Sequence, residues 1–203
     1  MGGERNLGLF PLDLVLLPGE TVPLHLFEPR YRQLYADTVL DDVPFVLVRE
    51  TAGDRADVGC TARFETLLRR HADGRMDVMV RGHEPVELVQ DTDGNLYRSA
   101  LVRPLVDLDD APPAGRRAEI IARYRELAGP AVAVPDDPGV PLSYALAATL
   151  ALESDSKQAL LVERSETRRM EMLADAFEAA AERTGFAAEA GRRARTNGKV
   201  AHP

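Results

Sequence analysis

The sequence has few of the residues that carry disulfide or cysteine–metal chemistry, because Cys60 is the only cysteine among 203 residues. A single cysteine excludes an intrachain disulfide and a zinc site made of cysteines. Tryptophan is absent and aromatic residues make up only 5% of the chain. A core is still possible, since 45% of the residues are hydrophobic, but leucine, valine and alanine must form most of it.

Long apolar runs and excess positive charge are also missing. No stretch of 18 apolar residues is present, so we expect no membrane span and no membrane partner. Pro11 interrupts the first apolar run, which is unlike a secretory signal, and we expect a cytoplasmic protein. The net charge of −8 argues against a dedicated nucleic-acid binder, because phosphate backbones would be repelled.

The first informative feature is a run of regularly spaced prolines. It lies in LGLFPLDLVLLPGETVPLHLFEPRYRQL (residues 7–34). Proline tolerates strand starts, turns and first helical positions, where its missing N–H needs no partner. The run therefore predicts short strands at 7–10, 14–17 and 22–27 and a helix over about 29–40. Apolar residues at helical spacing from Tyr31 to Val39 support that helix.

The rest of the chain changes from β to helical patterning. Residues 44–105 alternate apolar and polar side chains, with a hairpin turn predicted at 71–74. The later residues repeat at helical spacing. The predicted division is a β-rich subdomain at 1–106, a linker at 107–114, a helical subdomain at 115–186 and a disordered basic tail at 187–203. The fold class is thus α+β.

Three segments resemble one known family. They are FPLDLVLLPGETVPLHLFEPRYRQL, VGCTARFETLLRRHADGRMDVMVRGHEPVEL and ESDSKQALLVERSETRRMEML. Together they resemble the amino-terminal, substrate-recognition domain of the ATP-dependent Lon protease, over roughly residues 7–180. The resemblance implies a PUA-like β pseudo-barrel followed by an α-helical bundle. It also implies binding of unfolded or flexible polypeptides, with a Lon-type protease as a further candidate partner.

The resemblance stops short of catalysis. Lon proteases also carry an ATPase module and a Ser–Lys proteolytic domain, whereas this sequence has no G-x-x-x-x-G-K-[ST] motif. We expect a stand-alone, non-enzymatic form without cofactors. A cysteine nucleophile is not expected, because no activating base accompanies Cys60 in the sequence pattern. A Ser–Lys dyad is not expected either, because Ser156 and Lys157 are adjacent and their side chains would diverge on a helix.

Metal binding is not expected either. The four histidines include no pair at i and i+4 on a helix, and His25, between two leucines of a strand, is expected at an exposed rim. Asp91, Asp93 and Asn95 imitate part of a calcium loop, but Gly94 comes too early for that loop.

The proposed ligands are exposed apolar segments of polypeptides, bound by apolar burial with little sequence reading. The candidate binding residues cluster around the proline-rich opening and the first helix: Leu17, Pro18, Leu26, Phe27, Arg30 and Tyr31. The same residues could instead form the core that joins strands to helices. Two other functions stay open, namely a PUA-like RNA-binding module and a regulatory adaptor of a full-length Lon protease.

Overall fold

A computed structural model describes residues 3–129 and 132–197, with side chains up to residue 181. In this part of the chain, strands fill the first half and helices most of the second half. The strands are β1 (Arg5–Leu12), β2 (Thr21–Leu26), β3 (Phe45–Thr51), β4 (Asp54–Arg55), β5 (Val58–Arg70), β6 (Met76–Thr92) and β7 (Ser99–Pro104). The helices are α1 (Pro29–Asp41), α2 (Ala114–Ala128), α3 (Leu142–Ala147), α4 (Ser154–Val162) and α5 (Glu166–Asn197). The predicted α+β class is confirmed.

The strands form one sheet that closes on itself through β1. Residues 5–8 of β1 pair antiparallel with β7, and residues 9–12 pair parallel with β3. Between these two neighbours, β7, β6, β5 and β3 follow one another as antiparallel pairs. The predicted pseudo-barrel agrees with this closed arrangement. Its interior is apolar and consists mainly of Leu7, Leu9, Val46, Val48, Val86, Ala100 and Val102.

Pro11 lies inside β1, whereas the sequence predicted a strand that ends before it. At this position β1 pairs only with β3, through the Pro11–Val48 register, because β7 pairs with the preceding residues. The missing N–H of Pro11 therefore interrupts no hydrogen bonds to β7, because β7 is not paired with β1 at this position. The predicted strand at 14–17 is wrong: this segment is buried but irregular, and the Leu17 N–H donates to Glu20 Oε2 at 3.0 Å.

A long hairpin of β5 and β6 carries β2 on its outer half. Its turn lies at residues 71–75, closed by the His71 N–H donating to the Arg75 carbonyl at 2.8 Å, which confirms the predicted turn. β2 pairs antiparallel with β6 so that His25 faces Asp77 and Leu26 faces Met76. The hairpin and its third strand thus form a ribbon in which β6 alternates between fully and partly buried side chains near β2, whereas the last six residues of β5 are exposed.

The chain divides into two compact units that differ from the predicted linear division. The first unit contains Met1–Ala111 and Pro135–Arg169, and the second contains Pro112–Val134 and Met170–Pro203. The helices α3 and α4 therefore group with the sheet. Ion pairs link α4 to the β-rich part of this unit, namely Lys157 with the buried Glu20, and Asp155 with Arg49. Sequence distance alone could not reveal this grouping, because it depends on contacts between distant segments.

In the second unit, α2 packs on the part of α5 that follows residue 169. Arg116 binds Glu171 through two parallel hydrogen bonds of 2.9 and 2.6 Å. Beneath this pair the rings of Tyr124 and Phe177 lie 6.3 Å apart, beside the buried Ile120. The unit is thus a small helical core with charged pairs on its surface.

The run of Asp107, Asp109 and Asp110 in the predicted linker is typical of a solvated charge cluster, but the structure fixes two of these carboxylates. Asp107 binds the buried guanidinium of Arg169, and Asp110 accepts hydrogen bonds from the first turn of α5. Ser165 directly precedes the last helical pattern in the sequence, which predicts it as the cap of α5. The structure confirms this, because the Ser165 Oγ accepts the Arg168 N–H at 3.1 Å. Charge clusters that cap or pair buried groups look the same in sequence as solvated ones.

The spacing of apolar residues predicts a helix over 142–152 and a last helix that stops at Gly185, and both predicted ends are wrong. α3 ends at Ala147, not at residue 152, because the following turn uses tighter bonds such as Thr149 N–H to the Leu146 carbonyl. α5 continues past Gly185, since an interior glycine costs a helix only about 1 kcal/mol and the next residues are rich in alanine. Residues 198–203 of the predicted tail lie outside the described residues. No helix within the described ranges is long and apolar enough to cross a bilayer.

Candidate functional site

Helix α1 forms one wall of the candidate site. Pro29 occupies its first turn after Glu28, as predicted, and Asp42 ends it in a left-handed conformation. The helix buries Tyr31, Leu34 and Thr38 against the sheet. The apolar stripe predicted from the sequence continues to Val39. In the structure Val39 is exposed, because the buried face of α1 consists of Tyr31, Leu34 and Thr38.

The exposed side of α1 borders an open groove of about 680 Å³. The hairpin turn region of β5 and β6 forms the opposite wall, and the segment before β7 contributes Leu96. The apolar lining consists of Pro29, Tyr35, Ala36, Val39, Leu40, Met76 and Leu96. Arg32, Gln33 and Arg70 supply its polar groups, so the groove is apolar with a positive rim.

Hydrogen bonds around Asp37 hold α1 against the neighbouring segment. Tyr97 Oη donates to Asp37 Oδ2 at 2.9 Å, and Gln33 Nε2 donates to Asp37 Oδ1 at 2.6 Å. Burial, reinforced by the Asp37 carboxylate, raises the pKa of Tyr97 to about 12, so its hydroxyl keeps the proton that it donates. The ring of Tyr35 packs edge-on against Phe64 at 4.9 Å. The groove wall is therefore fixed in position.

The groove presents large apolar side chains to solvent. Leu40 is 83% exposed and Leu96 is 67% exposed. A partner that covered them would remove apolar surface from water, which is favourable by roughly 25 cal/mol per Å². The groove can therefore bind an apolar partner. The arginines at its rim add a preference for negatively charged groups beside the apolar ones.

The structure separates the six predicted binding residues into two groups. Leu17, Pro18, Leu26 and Tyr31 are buried, and Tyr31 stacks on Phe10 with ring centroids 4.0 Å apart. These four contribute to the core, which was the alternative interpretation of the sequence.

Phe27 and Arg30 remain accessible. Phe27 is 58% exposed, because the strand alternation that buries Leu26 turns the next side chain outward. Arg30 lies over the Tyr31 ring at 4.7 Å and pairs with Glu28 at 2.7 Å. The sequence located the correct region but could not separate the two faces of the strand and helix.

A cluster of two histidines and one aspartate lies on the outer face of the β2–β6 ribbon. His25 Nδ1 is 2.5 Å from Asp77 Oδ1, and His71 Nε2 is 2.8 Å from Asp77 Oδ2. These hydrogen bonds hold the pKa of Asp77 below its ordinary value. The spacing of the histidines in the sequence does not predict the cluster, because its members lie on paired strands and a turn and not at i and i+4 of a helix. The strand register, which places His25 opposite Asp77, is the signal that could have revealed it.

The predicted absence of an activated thiol agrees with the surroundings of Cys60. Its side chain is fully buried, and burial raises the pKa of the thiol well above its ordinary value. Lys157 pairs with Glu20, and Asp91 of the suspected calcium loop pairs with Arg55 at 2.8 Å. Each of these groups thus has a structural role.

Two of the solved structures that are similar to this chain are Lon N-terminal domains. The first is a Lon N-terminal domain protein from Xanthomonas campestris, with a TM-score of 0.68, 26% sequence identity, and coverage of 84% of this chain and 98% of that chain. The second is the N-terminal domain of a Mycobacterium avium complex Lon protease, with a TM-score of 0.66, 16% identity, and coverage of 86% and 98%. The second likeness shows the fold alone. No curated protein matches the sequence.

The family comparison covers most of the chain. The profile of the ATP-dependent protease La (LON) substrate-binding domain matches residues 6–177, which include the closed sheet, α1 and its groove, and the helices up to residue 177 in the first part of α5. The chain therefore belongs to the LON substrate-binding domain family.

Proposed function

We propose that this chain is a non-catalytic recognition domain that binds exposed apolar segments of polypeptides in the groove beside α1. The observation that carries the proposal is the exposure of Val39, Leu40 and Leu96 around one open groove. Membership of a substrate-binding family gives the ligand class, since the substrates of a protease are polypeptides.

Binding in such a groove relies on apolar burial. Covering a leucine completely contributes about 1.5–3 kcal/mol before the cost of ordering both partners. A client that fills the groove with two or three side chains therefore binds weakly and dissociates readily. Apolar burial is non-directional, so clients are selected by the exposure of apolar residues and hardly by their order. The arginines at the rim favour segments with an acidic flank.

Phe27 and Arg30 extend the proposed surface from the start of α1. The Phe27 ring lies 6.0 Å from the ring of His25, on the outer face of β2. Its exposure makes it the accessible part of the surface that the sequence predicted around residues 17–31. Leu17, Pro18, Leu26 and Tyr31 are buried and do not need to contact a client.

The pairing of the arginines weighs against an RNA-binding function. Arg63 binds Asp42 at 2.6 Å, Arg30 binds Glu28, and Arg49 binds Asp155. A phosphate would have to compete with these carboxylates, in a chain with a net charge of −8. A role as adaptor of a full-length Lon protease would use the same apolar surface, and co-purification with such a protease tests it.

The experiment is fluorescence anisotropy with a labelled, permanently unfolded polypeptide. We expect Leu40→Ser and Leu96→Ser each to weaken binding about five- to thirtyfold, as for an apolar contact worth about 1–2 kcal/mol. Leu108→Ser is the matched control, because Leu108 is 52% exposed and lies outside the groove. Equal effects of all three variants would contradict the groove as the binding site.

Salt dependence separates the two ligand classes. Raising the salt from about 0.05 to 0.5 M should change polypeptide affinity only a few-fold, because apolar burial is not screened and only the contribution of the rim arginines responds to ions. An RNA surface with about four phosphate contacts would lose orders of magnitude in affinity over that range. Tight, steeply salt-dependent RNA binding together with no polypeptide binding would overturn the proposal.

A further inference from the structure

We propose that His25, His71 and Asp77 form a binding site for a divalent transition-metal ion, of which Zn²⁺ is the representative. The three side chains offer two imidazole nitrogens and one carboxylate, and the ligand atoms all lie within 4.8 Å of one another. The site is separate from the polypeptide-binding groove and does not depend on the function proposed for it.

One ring nitrogen of each histidine already contacts the Asp77 carboxylate. His25 Nδ1 and His71 Nε2 contact the two different oxygens of the Asp77 carboxylate, at 2.5 and 2.8 Å. The two imidazole rings lie 5.7 Å apart and nearly perpendicular, at 81°. An ion with bonds of about 2.0–2.2 Å to nitrogen and oxygen would fit among these atoms after small side-chain rotations.

The backbone holds the three residues in place without the ion. His25 and Asp77 are direct partners in the β2–β6 ladder. His71 begins the hairpin turn, where its N–H donates to the Arg75 carbonyl and its carbonyl accepts the Gly74 N–H at 3.0 Å. Ligands on paired strands and a closed turn are arranged in advance, so binding orders only side chains.

The donor set indicates the class of ion. Imidazole nitrogen suits zinc, copper, nickel and iron, whereas calcium and magnesium prefer sites made wholly of oxygen. Three protein ligands leave at least one coordination position for water or for an outside ligand. On binding, the inward nitrogens of both rings give up the hydrogen bonds to Asp77 and direct lone pairs at the ion. Each neutral ring then carries its proton on the other nitrogen.

The position of the cluster leaves it open to solvent. Along β6, Met76 lines the groove beside α1, and the next residue, Asp77, points to the opposite face. Exposed Phe27 lies beside His25 on that outer face. An ion can therefore enter without any change in the fold, and occupation of the site does not fill the groove.

The test is a titration of the full chain with Zn²⁺, followed by NMR of the histidine rings. We expect the ring signals of His25 and His71 to shift together with one ion bound per chain, while those of the exposed His83, which lies outside the cluster, stay unchanged. Absence of any shift at His25 and His71 up to about 1 mM Zn²⁺ would overturn the proposal.

Variants add a second measurement by isothermal titration. Loss of an outer partner of a metal ligand commonly costs 10–100-fold in affinity, so His71→Ala and Asp77→Asn should each weaken Zn²⁺ binding by at least about tenfold. His83→Ala and His202→Ala are the matched controls and should bind as the wild type does. Circular dichroism confirms that each variant is folded. Binding that survives both ligand substitutions, or that depends on His202, contradicts the site.

Discussion

Arg169 and Asp107, 62 positions apart in sequence, form a two-bonded guanidinium–carboxylate pair, with N–O distances of 2.8 and 2.5 Å. The Arg169 side chain is fully buried. Its remaining donors bind Glu166, Ser143 and the Glu163 carbonyl, and its guanidinium lies 4.3 Å from the centre of the Tyr144 ring. Burial lowers the pKa of Arg169, but the hydrogen bonds to Asp107 and Glu166 more than offset this and raise it above its ordinary value, so the group stays charged. The pair joins the end of the sheet region to the start of α5 within the first unit.

Removal of this guanidinium should be strongly destabilising. Arg169→Met leaves Asp107 and Glu166 without their partner, and breaking a buried ion pair from one side costs about 3–5 kcal/mol. Denaturant unfolding measures the loss. Arg168→Met is the matched control, because Arg168 is the exposed neighbour on the same helix, and it should change stability by less than about 0.5 kcal/mol. Similar losses in both variants would contradict the assignment.

Asp110 should make the stability of the fold sensitive to acid. It accepts hydrogen bonds from the Ser165 hydroxyl and from the Glu166 and Thr167 N–H groups, at 2.7, 3.0 and 3.2 Å, and these lower its pKa to about 2. Because the folded pKa lies below the unfolded value, the contribution is complete above about pH 4. It is lost as the pH falls from about 4 towards 2.

The variant Asp110→Asn isolates this effect. It removes the titrating group, so the variant should be less stable at neutral pH and should lose less stability between about pH 4 and 2 than the wild type. Thermal unfolding across that range measures both. Asp109→Asn serves as the exposed control and should follow the wild-type curve. A parallel fall for wild type and Asp110→Asn would contradict the assignment.

Cys60 should be unreactive in the folded chain. Burial raises the pKa of its thiol, so almost no thiolate, the reactive form, exists near about pH 8. A disulfide reagent such as dithionitrobenzoate should therefore label Cys60 only at the rate of unfolding, and labelling should accelerate as denaturant is added. Rapid labelling of the native protein would mean that this part of the sheet opens readily.

Gly82 and Gly115 should respond oppositely to alanine. A Cβ at Gly82 would lie 2.3 Å from the Leu17 carbonyl oxygen, which is backbone and cannot rotate away. Gly82→Ala should destabilise the fold by about 1–3 kcal/mol, in the range of overpacking. Gly115, in the first turn of α2, has open space around it, so Gly115→Ala should be neutral or stabilising by up to about 1 kcal/mol. Chemical denaturation of both variants decides.

The sequence predicted the elements of this fold better than its surfaces. The β5–β6 hairpin and helix α1 are predicted from local patterns, namely alternating apolar residues and a proline at the first helical position. The hairpin turn and the start of α1 lie where these patterns place them. The exposure of Val39 and Leu40 depends on what covers α1, which no local pattern states. An apolar stripe is the same in sequence whether a sheet or solvent lies beside it.

The missed polar clusters have a similar cause. His25, His71 and Asp77 meet only through strand pairing, and Arg169 meets Asp107 only through the fold of the first unit. A charge run was predicted to be solvated at Asp107 and Asp110 because most such runs are. Long-range partners decide these cases. Predicting the register of the β2–β6 pair would have placed His25 beside Asp77. No local sequence pattern indicates that Arg169 is buried and paired with Asp107.

The place of β1 between β3 and β7 has a consequence for biosynthesis. Of the strands in this sheet β1 is synthesised first, and the partner of its second half, β3, becomes available once residues 45–51 have emerged from the ribosome. The first half of β1 has no partner until β7, at residues 99–104, is synthesised. For that interval the nascent chain carries an unpaired strand edge, a surface on which other chains can assemble. Translation speed between residues 51 and 104 thus sets how long the newborn protein is exposed to misassembly.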